Sequence, residues 1–535
     1  MKLHFDGIRD KAPWEQAGIA LPRFNLEEVR ENTKKEPAWL HFGAGNIFRA
    51  FPAAVLQRLL DAGQYDKGVI VAEGFDYEII DRAYRPFDNL SLLVVLKADG
   101  SMEKQVVASV AESLKASPQL PQDWERLIEI FRAPSLQMVS FTITEKGYGL
   151  SPADLQRGLA PEALMGKAAL LLLERCRAGA WPITLQSMDN CSHNGDKLRE
   201  ALLAYGKAWV QAGLVPEAFL SYLQDETKVS CPWSMIDKIT PRPDGKVQEM
   251  LKAQGFADSG TILTEKNTYT AAFVNAEETG YLVIEDSFPN GRPPLELGGV
   301  LFTDRGTVDK VEKMKVCTCL NPLHTAMSIF GCMLGYELIS AEMQDEDIRG
   351  LVTKLGYQEA MPVVVDPGVL KPADFIDAVL TRRLPNPFMP DAPQRIATDT
   401  SQKLPVRFGE TIKAYQAQGI SLDSLLLIPL VLAGYARYIK GVDDTGAPFA
   451  PSPDPLLEEL QAITAPLEVK AGQQDMSCLK ALFSRADVFG VDLYAAGLGD
   501  RIESMAAELY AGPGAVRETL HKYVTKRAFV KDIFS

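Results

Sequence analysis

The fold is decided by one stretch, residues 38–76, which reads AWLHFGAGNIFRAFPAAVLQRLLDAGQYDKGVIVAEGFD. An apolar strand from Ala38 is followed by a glycine turn, an amphipathic helix and a second apolar strand from Gly68 to Ala72. This order is typical of half a nucleotide-binding βαβ unit. Further apolar runs, LSLLVVLKADG, LQMVSFTITEKGY and WPITLQSMDN, are separated by helix-like segments, so we expect an α/β sheet domain.

A proline- and glycine-rich stretch, SFPNGRPPLELGG at residues 287–299, marks the predicted end of this domain. Beyond it the pattern is mostly helical, as in MSIFGCMLGYELI, DSLLLIPLVLAGYARYI and VRETLHKYVTKRAF. We therefore predict two domains, an α/β domain at residues 1–300 and a mainly α-helical domain at residues 301–535. The run LLLIPLVLAGYARYI is apolar enough for a buried helix but too short to span a bilayer.

The composition excludes several classes of protein. A formal net charge of −14 argues against nucleic acid as the main partner, because phosphate-binding domains usually present a basic face. The N-terminus lacks a continuous apolar region, and no long uncharged apolar stretch occurs, so we expect neither a membrane protein nor a secreted one. Seven cysteines without a CxxC pair or zinc-type spacing predict no disulfide framework and no structural metal, which fits a reducing cytoplasm.

The glycine turn is the predicted cofactor site. Gly43 and Gly45 lie between a strand and a helix, where backbone amides and the helix dipole would meet a pyrophosphate. The third glycine of the usual GxGxxG pattern is replaced by Phe48, so the prediction of a dinucleotide site rests on the position of the turn between a strand and a helix. Arg49 could pair with a phosphate. The predicted cofactor-binding residues are Gly43, Gly45, Asn46, Ile47, Phe48, Arg49, Glu73 and Asp76.

An acidic residue at the end of the second strand indicates which dinucleotide binds. Glu73, with Asp76 close behind, can accept hydrogen bonds from the adenosine ribose hydroxyls and repel a 2′-phosphate. NAD is therefore favoured over NADP. The alternative at this point is a glycine turn in a sheet protein that binds no nucleotide, with Glu73 simply solvated.

The run KVCTCLNPLHTA, residues 315–326, places a lysine, an asparagine and a histidine together in a histidine-poor chain. An amine can act as general base for a hydroxyl when its surroundings favour the neutral form, and an amide NH₂ can stabilise the resulting alkoxide. These residue types can therefore perform alcohol–ketone chemistry without a metal. The alternatives are a solvated surface lysine at Lys315 and a structural histidine at His324.

Several separated motifs, HFGAGNIFRA at residues 41–50, TEKGY at residues 144–148, and Asp189-Asn190 followed by Asn194-Gly195, agree in order with the lysine run. With them the chain resembles the polyol-specific long-chain dehydrogenases, which include mannitol 2-dehydrogenase and the fructuronate and tagaturonate reductases. The resemblance implies a Rossmann-type N-terminal domain, a mainly helical C-terminal domain, and zinc-independent hydride transfer to or from NAD.

The resemblance also assigns catalytic roles. Lys315 would be the general base in oxidation and the general acid in reduction. Asn190 and Asn321 would hold the carbonyl oxygen, and His324 would contact a substrate hydroxyl. Glu312 matches a glutamate thought to gate proton exit from the lysine, although an exposed helix carboxylate is an equal alternative.

Three further residues match substrate contacts of the family. Asp237 would accept a polyol hydroxyl, or else cap a loop. Arg395 and Lys403 would contact substrate, or else be surface cations; two cations in one matched segment favour a polyhydroxy or carboxylated ligand. We favour D-fructuronate and D-mannonate as the pair interconverted. The alternatives are mannitol and fructose, tagaturonate reduction, and a non-catalytic NAD-responsive binding protein.

One departure from the family pattern concerns the spacing of the catalytic residues. The family has four residues between the lysine and the asparagine, whereas this chain has five, Val316 to Leu320. At roughly 100° per residue, the extra one would rotate Lys315 away from Asn321 in a continuous helix. Pro322 predicts a helix break or a π-bulge that absorbs this rotation, or a new helix with Asn321 as its N-cap. We predict that Lys315, Asn321 and His324 still converge.

Overall fold

The computed structural model describes residues 1–525 and divides into two compact units. Residues 1–97 and 101–309 form the first unit, and residues 98–100 with residues 310–525 belong to the second. The end of the predicted helical domain, residues 526–535, lies outside the described residues. Within residues 1–525, no helix is both long enough and apolar enough to cross a membrane.

The strands of the described chain all belong to the first unit. Their bounds are β1 Ile19–Ala20, β2 Trp39–Phe42, β3 Val69–Glu73, β4 Ser91–Leu96, β5 Met102–Val107, β6 Val110–Lys115, β7 Met138–Phe141, β8 Ile183–Ser187, β9 Val229–Ser230, β10 Ser234–Asp237, β11 Thr261–Leu263, β12 Tyr269–Ala271, β13 Phe273–Glu277, β14 Tyr281–Glu285 and β15 Leu301–Thr303.

The largest sheet of the first unit is parallel, with the strand order β6-β3-β2-β7-β8-β9. Its central strands are buried along their whole length, which is why they appear in the sequence as continuous apolar runs. The order reverses between β2 and β7, and in such sheets the crevice at the carboxyl ends of these strands binds ligands. The predicted Rossmann-type architecture is confirmed.

Helices cover both faces of this sheet. Those of the first unit are α1 Phe5–Arg9, α2 Ala12–Gln16, α3 Leu26–Lys35, α4 Asn46–Ala50, α5 Pro52–Asp61, α6 Pro121–Arg132, α7 Pro152–Gln156, α8 Leu164–Gly179, α9 Asn194–Gln211, α10 Glu217–Gln224, α11 Gly245–Ala253 and α12 Arg305–Lys313, the last running into the second unit. Side chains of α6, α8, α9 and α10 bury one face of the sheet, and those of α4 and α5 bury the other. Alternate residues of β2 accordingly enter different cores, with Leu40 in one and Trp39 in the other.

Smaller sheets complete the first unit. Strands β1, β5, β4 and β13 form one in that order, β10, β14 and β15 form a second, and β11 pairs with β12. Short 3₁₀ segments occur at Arg85–Phe87, Glu145–Tyr148 and Leu295–Gly298, and a π-helical turn at Ile80–Tyr84. Strand β10 ends at Asp237, one of the predicted substrate contacts.

The second unit is helical in all its described regular structure, as predicted. Its α-helices are α13 Asn321–Met333, α14 Ile339–Glu342, α15 Glu346–Lys354, α16 Pro372–Ala378, α17 Pro393–Ile396, α18 Thr400–Leu404, α19 Glu410–Ala417, α20 Leu427–Tyr438, α21 Leu457–Thr464, α22 Leu479–Phe483, α23 Ala486–Phe489, α24 Gly499–Leu509 and α25 Ala515–Thr525. They are supplemented by 3₁₀ turns at Met361–Val363 and Leu422–Ser424, and by π-helical segments at Met314–Cys319, Leu355–Ala360, Val379–Arg383 and Pro405–Gly409.

Helix α20 is the core of the second unit, since every one of its residues is buried. This confirms the buried helix predicted from its apolar sequence. Its first turn is capped from outside by Glu359, whose Oε1 accepts hydrogen bonds from the amides of Leu426 and Leu427 at 2.7 and 2.6 Å. Oε2 accepts one from Ile428 at 2.8 Å. Burial nevertheless raises the pKa of Glu359 to about 7.

Candidate active site

In the turn after β2, the backbone requires glycine at position 43, whereas Gly45 borders open space. Gly43 has φ +107°, and a Cβ there would lie 2.2 Å from the carbonyl oxygen of Thr142. Gly45 has an ordinary extended backbone, and a Cβ built there would meet no heavy atom within 4 Å. The first glycine therefore lets β2 and β7 approach closely, and the second leaves open space at the start of α4.

Phe48 occupies the position of the missing third glycine for a packing reason. Its buried ring stacks on the His41 ring with the centroids 4.2 Å apart. His41 itself bonds to the next strand, through Nδ1 to Ser140 Oγ at 2.6 Å and through Nε2 to Thr142 Oγ1 at 2.8 Å. Burial lowers the pKa of His41 to about 3, so this ring is neutral and holds the first βα turn against β7.

Arg49 makes three hydrogen bonds within the protein. Its buried guanidinium donates to Asn46 Oδ1 at 2.8 Å, to Thr270 Oγ1 at 2.9 Å and to the carbonyl oxygen of Ala271 at 2.7 Å. These contacts fix α4 to strand β12. A contact between Arg49 and a phosphate stays a prediction, and it would require some of these bonds to be exchanged.

Glu73 lies at the glycine turn, with its carboxylate directed to backbone amides. Oε2 accepts from the amide of Ala44 at 2.8 Å, and Oε1 accepts from the amides of Phe75 and Asp76 at 2.8 and 3.2 Å. Asp76 in turn accepts a hydrogen bond from Thr264 Oγ1 at 2.6 Å. Both predicted acidic residues are therefore anchored beside the turn.

Phe75 is a residue that the sequence analysis missed. Its ring is 68% exposed, which is unusual for a phenylalanine, and the Lys266 ammonium lies 3.9 Å from the ring centroid. It follows Glu73 by two residues, at the end of the strand where a dinucleotide places its adenosine. The signal available in the sequence was an aromatic residue between Glu73 and Asp76, directly after the second strand.

The loop before Asn190 is held by a buried carboxylate. Asp189 accepts hydrogen bonds from the amides of Ile143 and Thr144 at 3.0 and 2.7 Å and from the Tyr148 hydroxyl at 2.6 Å. Burial raises the pKa of Asp189 from its usual range, and Thr144 has a positive φ of 64°. The TEKGY segment thus serves to fix the loop that carries Asn190.

The Asn194-Gly195 pair connects this loop to the strand that ends at Asp237. Asn194 Nδ2 donates to the carbonyl oxygen of Asp189 at 3.0 Å and to that of Ser234 at 3.1 Å, and its Oδ1 accepts from the Ser234 amide at 3.0 Å. A Cβ on Gly195 would lie 2.5 Å from the carbonyl oxygen of Cys231. The pair therefore sets the distance between the loop bearing Asn190 and strand β10.

In the second unit, Lys315 lies in the π-helical segment Met314–Cys319 and is only 5% exposed. The amide of Leu320 donates to the carbonyl oxygen of Lys315 at 3.1 Å, a bond that spans five residues instead of four. The predicted π-bulge is confirmed, and it absorbs the extra residue. The alternative with Asn321 as N-cap is wrong, because Leu320 takes the cap position and Asn321 is already helical. The side chain of Asn321 is therefore not the cap of this helix.

His324 follows one turn later on α13 and is half-buried. Burial lowers its pKa to about 4; Asp391 opposes this, while Arg407, Arg383 and Arg395 add to it. A neutral imidazole at pH 7 can donate or accept a hydrogen bond but cannot serve as a cation.

The two predicted substrate cations already have partners. Arg395 is exposed and forms an ion pair with Asp391. Lys403 Nζ donates to the carbonyl oxygen of Ile396 at 3.0 Å and to that of Thr398, at the end of α17. Burial, together with the charges of nearby arginines, lowers the pKa of Lys403.

Two further arginines, Arg383 and Arg407, act electrostatically on His324 and were not predicted from the sequence. Arg383 is 3% exposed, and Arg407 donates to Thr325 Oγ1. Glu312 is half-buried on α12, three residues before Lys315. In the described part of the chain, no group of three or more His, Cys, Asp and Glu side chains is arranged to hold a metal ion.

Comparison with known proteins identifies the family of both parts of the chain. The family model for the mannitol dehydrogenase Rossmann domain matches residues 37–297, and that for the mannitol dehydrogenase C-terminal domain matches residues 307–509. A D-mannonate oxidoreductase of Thermotoga maritima is 50% identical over 98% of this chain and 99% of its own length. A polyol:NADP oxidoreductase of Gluconobacter oxydans is 28% identical over 83% of this chain and 87% of its own length.

Among solved structures, Pseudomonas fluorescens mannitol 2-dehydrogenase, in a ternary complex with NAD and D-mannitol, superposes with a TM-score of 0.67 and 25% identity. That match covers 98% of this chain and all of the other. A D-sorbitol dehydrogenase shares the fold, with a TM-score of 0.75 and 24% identity, over 94% of this chain and 97% of its own. Together, the two family models and the half-identical relative show that this chain belongs to the mannitol dehydrogenase family.

Proposed function

We propose that this protein is a zinc-independent, NAD-dependent oxidoreductase that interconverts D-fructuronate and D-mannonate. The observation that carries the proposal is the 50% identity to a D-mannonate oxidoreductase over nearly the whole of both chains. The arginines that surround His324 add a physical reason, because positive charge suits a substrate that carries a carboxylate.

The residues at the glycine turn fit a dinucleotide. The open space at Gly45 allows a diphosphate to approach the backbone amides, and the exposed ring of Phe75 offers an apolar surface for an adenine. The carboxylate of Glu73 beside the turn would repel a 2′-phosphate, so we propose NAD rather than NADP. When bound, the reduced nicotinamide supplies the hydride.

In this proposal Lys315 carries the proton that the reduction requires. Its Nζ passes a proton to the ketone oxygen as the carbonyl carbon becomes a carbinol, and it takes the proton back in the oxidation. The amides of Asn190 and Asn321 donate hydrogen bonds to the same oxygen, which stabilises the negative charge that develops there. Glu312 is placed three residues before Lys315 along the helix, a spacing that brings two side chains to one face, and would exchange the proton with solvent.

The remaining residues would orient the sugar chain. His324, being neutral, would bond a hydroxyl next to the carbonyl. Asp237, buried at the end of β10, would accept a hydrogen bond from a further hydroxyl. Arg395 and Lys403 would contribute positive charge at the end of the site where the substrate carboxylate lies.

The test is the rate of NADH oxidation by the purified protein with fructuronate, tagaturonate, fructose and fructose 6-phosphate. We expect the highest kcat/KM with fructuronate, and a much lower value for the same reaction with NADPH. A preference for tagaturonate or fructose would replace the substrate while leaving the chemistry in place. Binding of NADH without turnover of any of the four would favour a non-catalytic binding protein.

A further inference from the structure

Arg407 is placed beside both of the catalytic elements of the second unit. It belongs to the π-helical segment Pro405–Gly409, which packs against the π-helical segment that carries Lys315 and also against α13, which carries His324. Its guanidinium donates to the hydroxyl of Thr325, the residue next to His324. Its charge also acts on the His324 ring.

Unlike Arg395 and Arg517 of the same unit, Arg407 has no acidic partner among the described residues. Arg395 pairs with Asp391, and Arg517 pairs with Asp345 and Asp347. For Arg407 the described residues supply the Thr325 hydroxyl and no carboxylate, and burial of its guanidinium lowers its pKa to about 10. A half-buried cation without a counter-charge is costly to keep in the fold, and an anionic ligand would offset that cost.

The shape and the surroundings of Arg407 select the kind of anion. A guanidinium has five donors in a planar fork that matches the two oxygens of a carboxylate, and Thr325 engages only part of that fork. Arg383 and Arg395 also direct their charge to this region, and the carboxylate of Asp391 is engaged with Arg395. Three arginines and one aspartate thus act on this region, and His324 stays uncharged among them.

We propose that Arg407 binds the terminal carboxylate of the sugar-acid substrate and so discriminates sugar acids from neutral ketoses and polyols. This inference rests on the proposed function and deepens it. It moves the main carboxylate contact away from Arg395, which already has an acidic partner in Asp391, and from Lys403, which donates to backbone carbonyls. Those two residues then shape the positive field and the neighbouring loop.

The test varies the charge of residue 407 and the charge of the ligand independently. Steady-state kinetics with fructuronate and with fructose are compared for wild type, Arg407→Met and Arg407→Lys. Dissociation constants of D-mannonate and D-mannitol, which differ only at one terminal carbon, are measured in the presence of NAD. Arg349→Met, at an exposed arginine on α15, is the matched control.

For Arg407→Met we expect kcat/KM for fructuronate to fall about 100- to 1000-fold, mostly through KM, as typical for removal of one partner of a buried charged pair. D-Mannonate should bind correspondingly more weakly. Turnover of fructose and binding of mannitol should change less than about threefold, as should every value for the control. Arg407→Lys keeps the charge but loses the fork, so we expect a loss of about tenfold that is confined to the acids.

Equal losses with acid and neutral ligands, or no loss with either, would overturn the assignment of Arg407. Should Arg407→Met fail to fold, the acid-selective loss in Arg407→Lys decides the matter in the same way. Failure of the proposed function has a different signature, because it would show in the wild type as a preference for a neutral or phosphorylated ketose.

Discussion

The two glycines of the first turn provide a matched pair of substitutions that separates folding from cofactor binding. In Gly45→Ala the added methyl group meets no protein atom within 4 Å, and the backbone conformation is one that alanine adopts freely. In Gly43→Ala the methyl group lies 2.2 Å from the Thr142 carbonyl oxygen at a φ of +107°.

The expected magnitudes follow from these surroundings. Gly45→Ala should leave the free energy of unfolding of the cofactor-free protein unchanged or raise it by up to about 1 kcal/mol, because alanine restricts the unfolded chain. It should weaken NADH binding about 10- to 100-fold, since the methyl group occupies the space through which a diphosphate reaches the amides, and each lost charged hydrogen bond costs about 1.5–3 kcal/mol. Gly43→Ala should lower the free energy of unfolding by about 3–5 kcal/mol, because a strained backbone is combined with a clash against another strand.

Denaturant unfolding without cofactor and a fluorescence titration with NADH measure the two effects separately. Normal NADH affinity in Gly45→Ala would refute the placement of the diphosphate at this turn. Wild-type stability in Gly43→Ala would show that the two strands can separate at no cost, contrary to the close approach described above.

Three further predictions concern other parts of the molecule. Glu359 has a pKa of about 7 in the folded protein and of 4.5 when unfolded. Its protonated form therefore contributes fully to the free energy of unfolding below pH 4.5, and this contribution is lost as the pH rises through 7. The free energy of unfolding of wild type should therefore fall by roughly 3 kcal/mol more than that of Glu359→Gln between pH 4.5 and 8; parallel pH profiles would contradict this. Phe75→Ala removes the ring on which we expect the adenine to stack, so it should raise KM for NADH about 5- to 20-fold with unchanged stability. An unaltered KM would exclude that contact. Asp189→Asn replaces one acceptor oxygen of the carboxylate by an NH₂ group and should lower the free energy of unfolding by about 2–3 kcal/mol. Tyr148→Phe removes the bonds of the hydroxyl to both Asp189 and Ser187 and should cost about 2 kcal/mol. Wild-type stability of both variants would show that the carboxylate does not hold the loop.

Local features of the site could be predicted from the sequence because their causes are local. A glycine turn between a strand and a helix, and a proline that interrupts a helix next to an extra residue, each restrict the backbone within a few residues. The glycine turn and the π-bulge at Lys315 are present as expected. The exact helix start was missed by one residue, since Leu320 rather than Asn321 is the cap, and a cap depends on details of backbone conformation that composition does not resolve.

Contacts between distant segments could not be predicted in the same way. Arg49 forms hydrogen bonds with residues 270 and 271, more than two hundred positions along the chain. The sequence around this arginine does not indicate these bonds. Likewise, only tertiary packing brings Arg407 next to the segments of Lys315 and His324. In the sequence it is one cation among several near Arg395 and Lys403, and the absence of an acidic partner becomes visible only in three dimensions.

The central claim is that the amine of Lys315 moves the proton in a reaction that needs no metal. The most direct test is single-turnover reduction of fructuronate by Lys315→Ala, with Lys413→Ala, at an exposed lysine of α19, as the control. We expect the rate of the chemical step to fall by about a thousandfold or more, while the dissociation constant of NADH changes less than about threefold and a chelator has no effect on wild type. A rate close to that of wild type in Lys315→Ala, or loss of wild-type activity on chelation, would contradict the account.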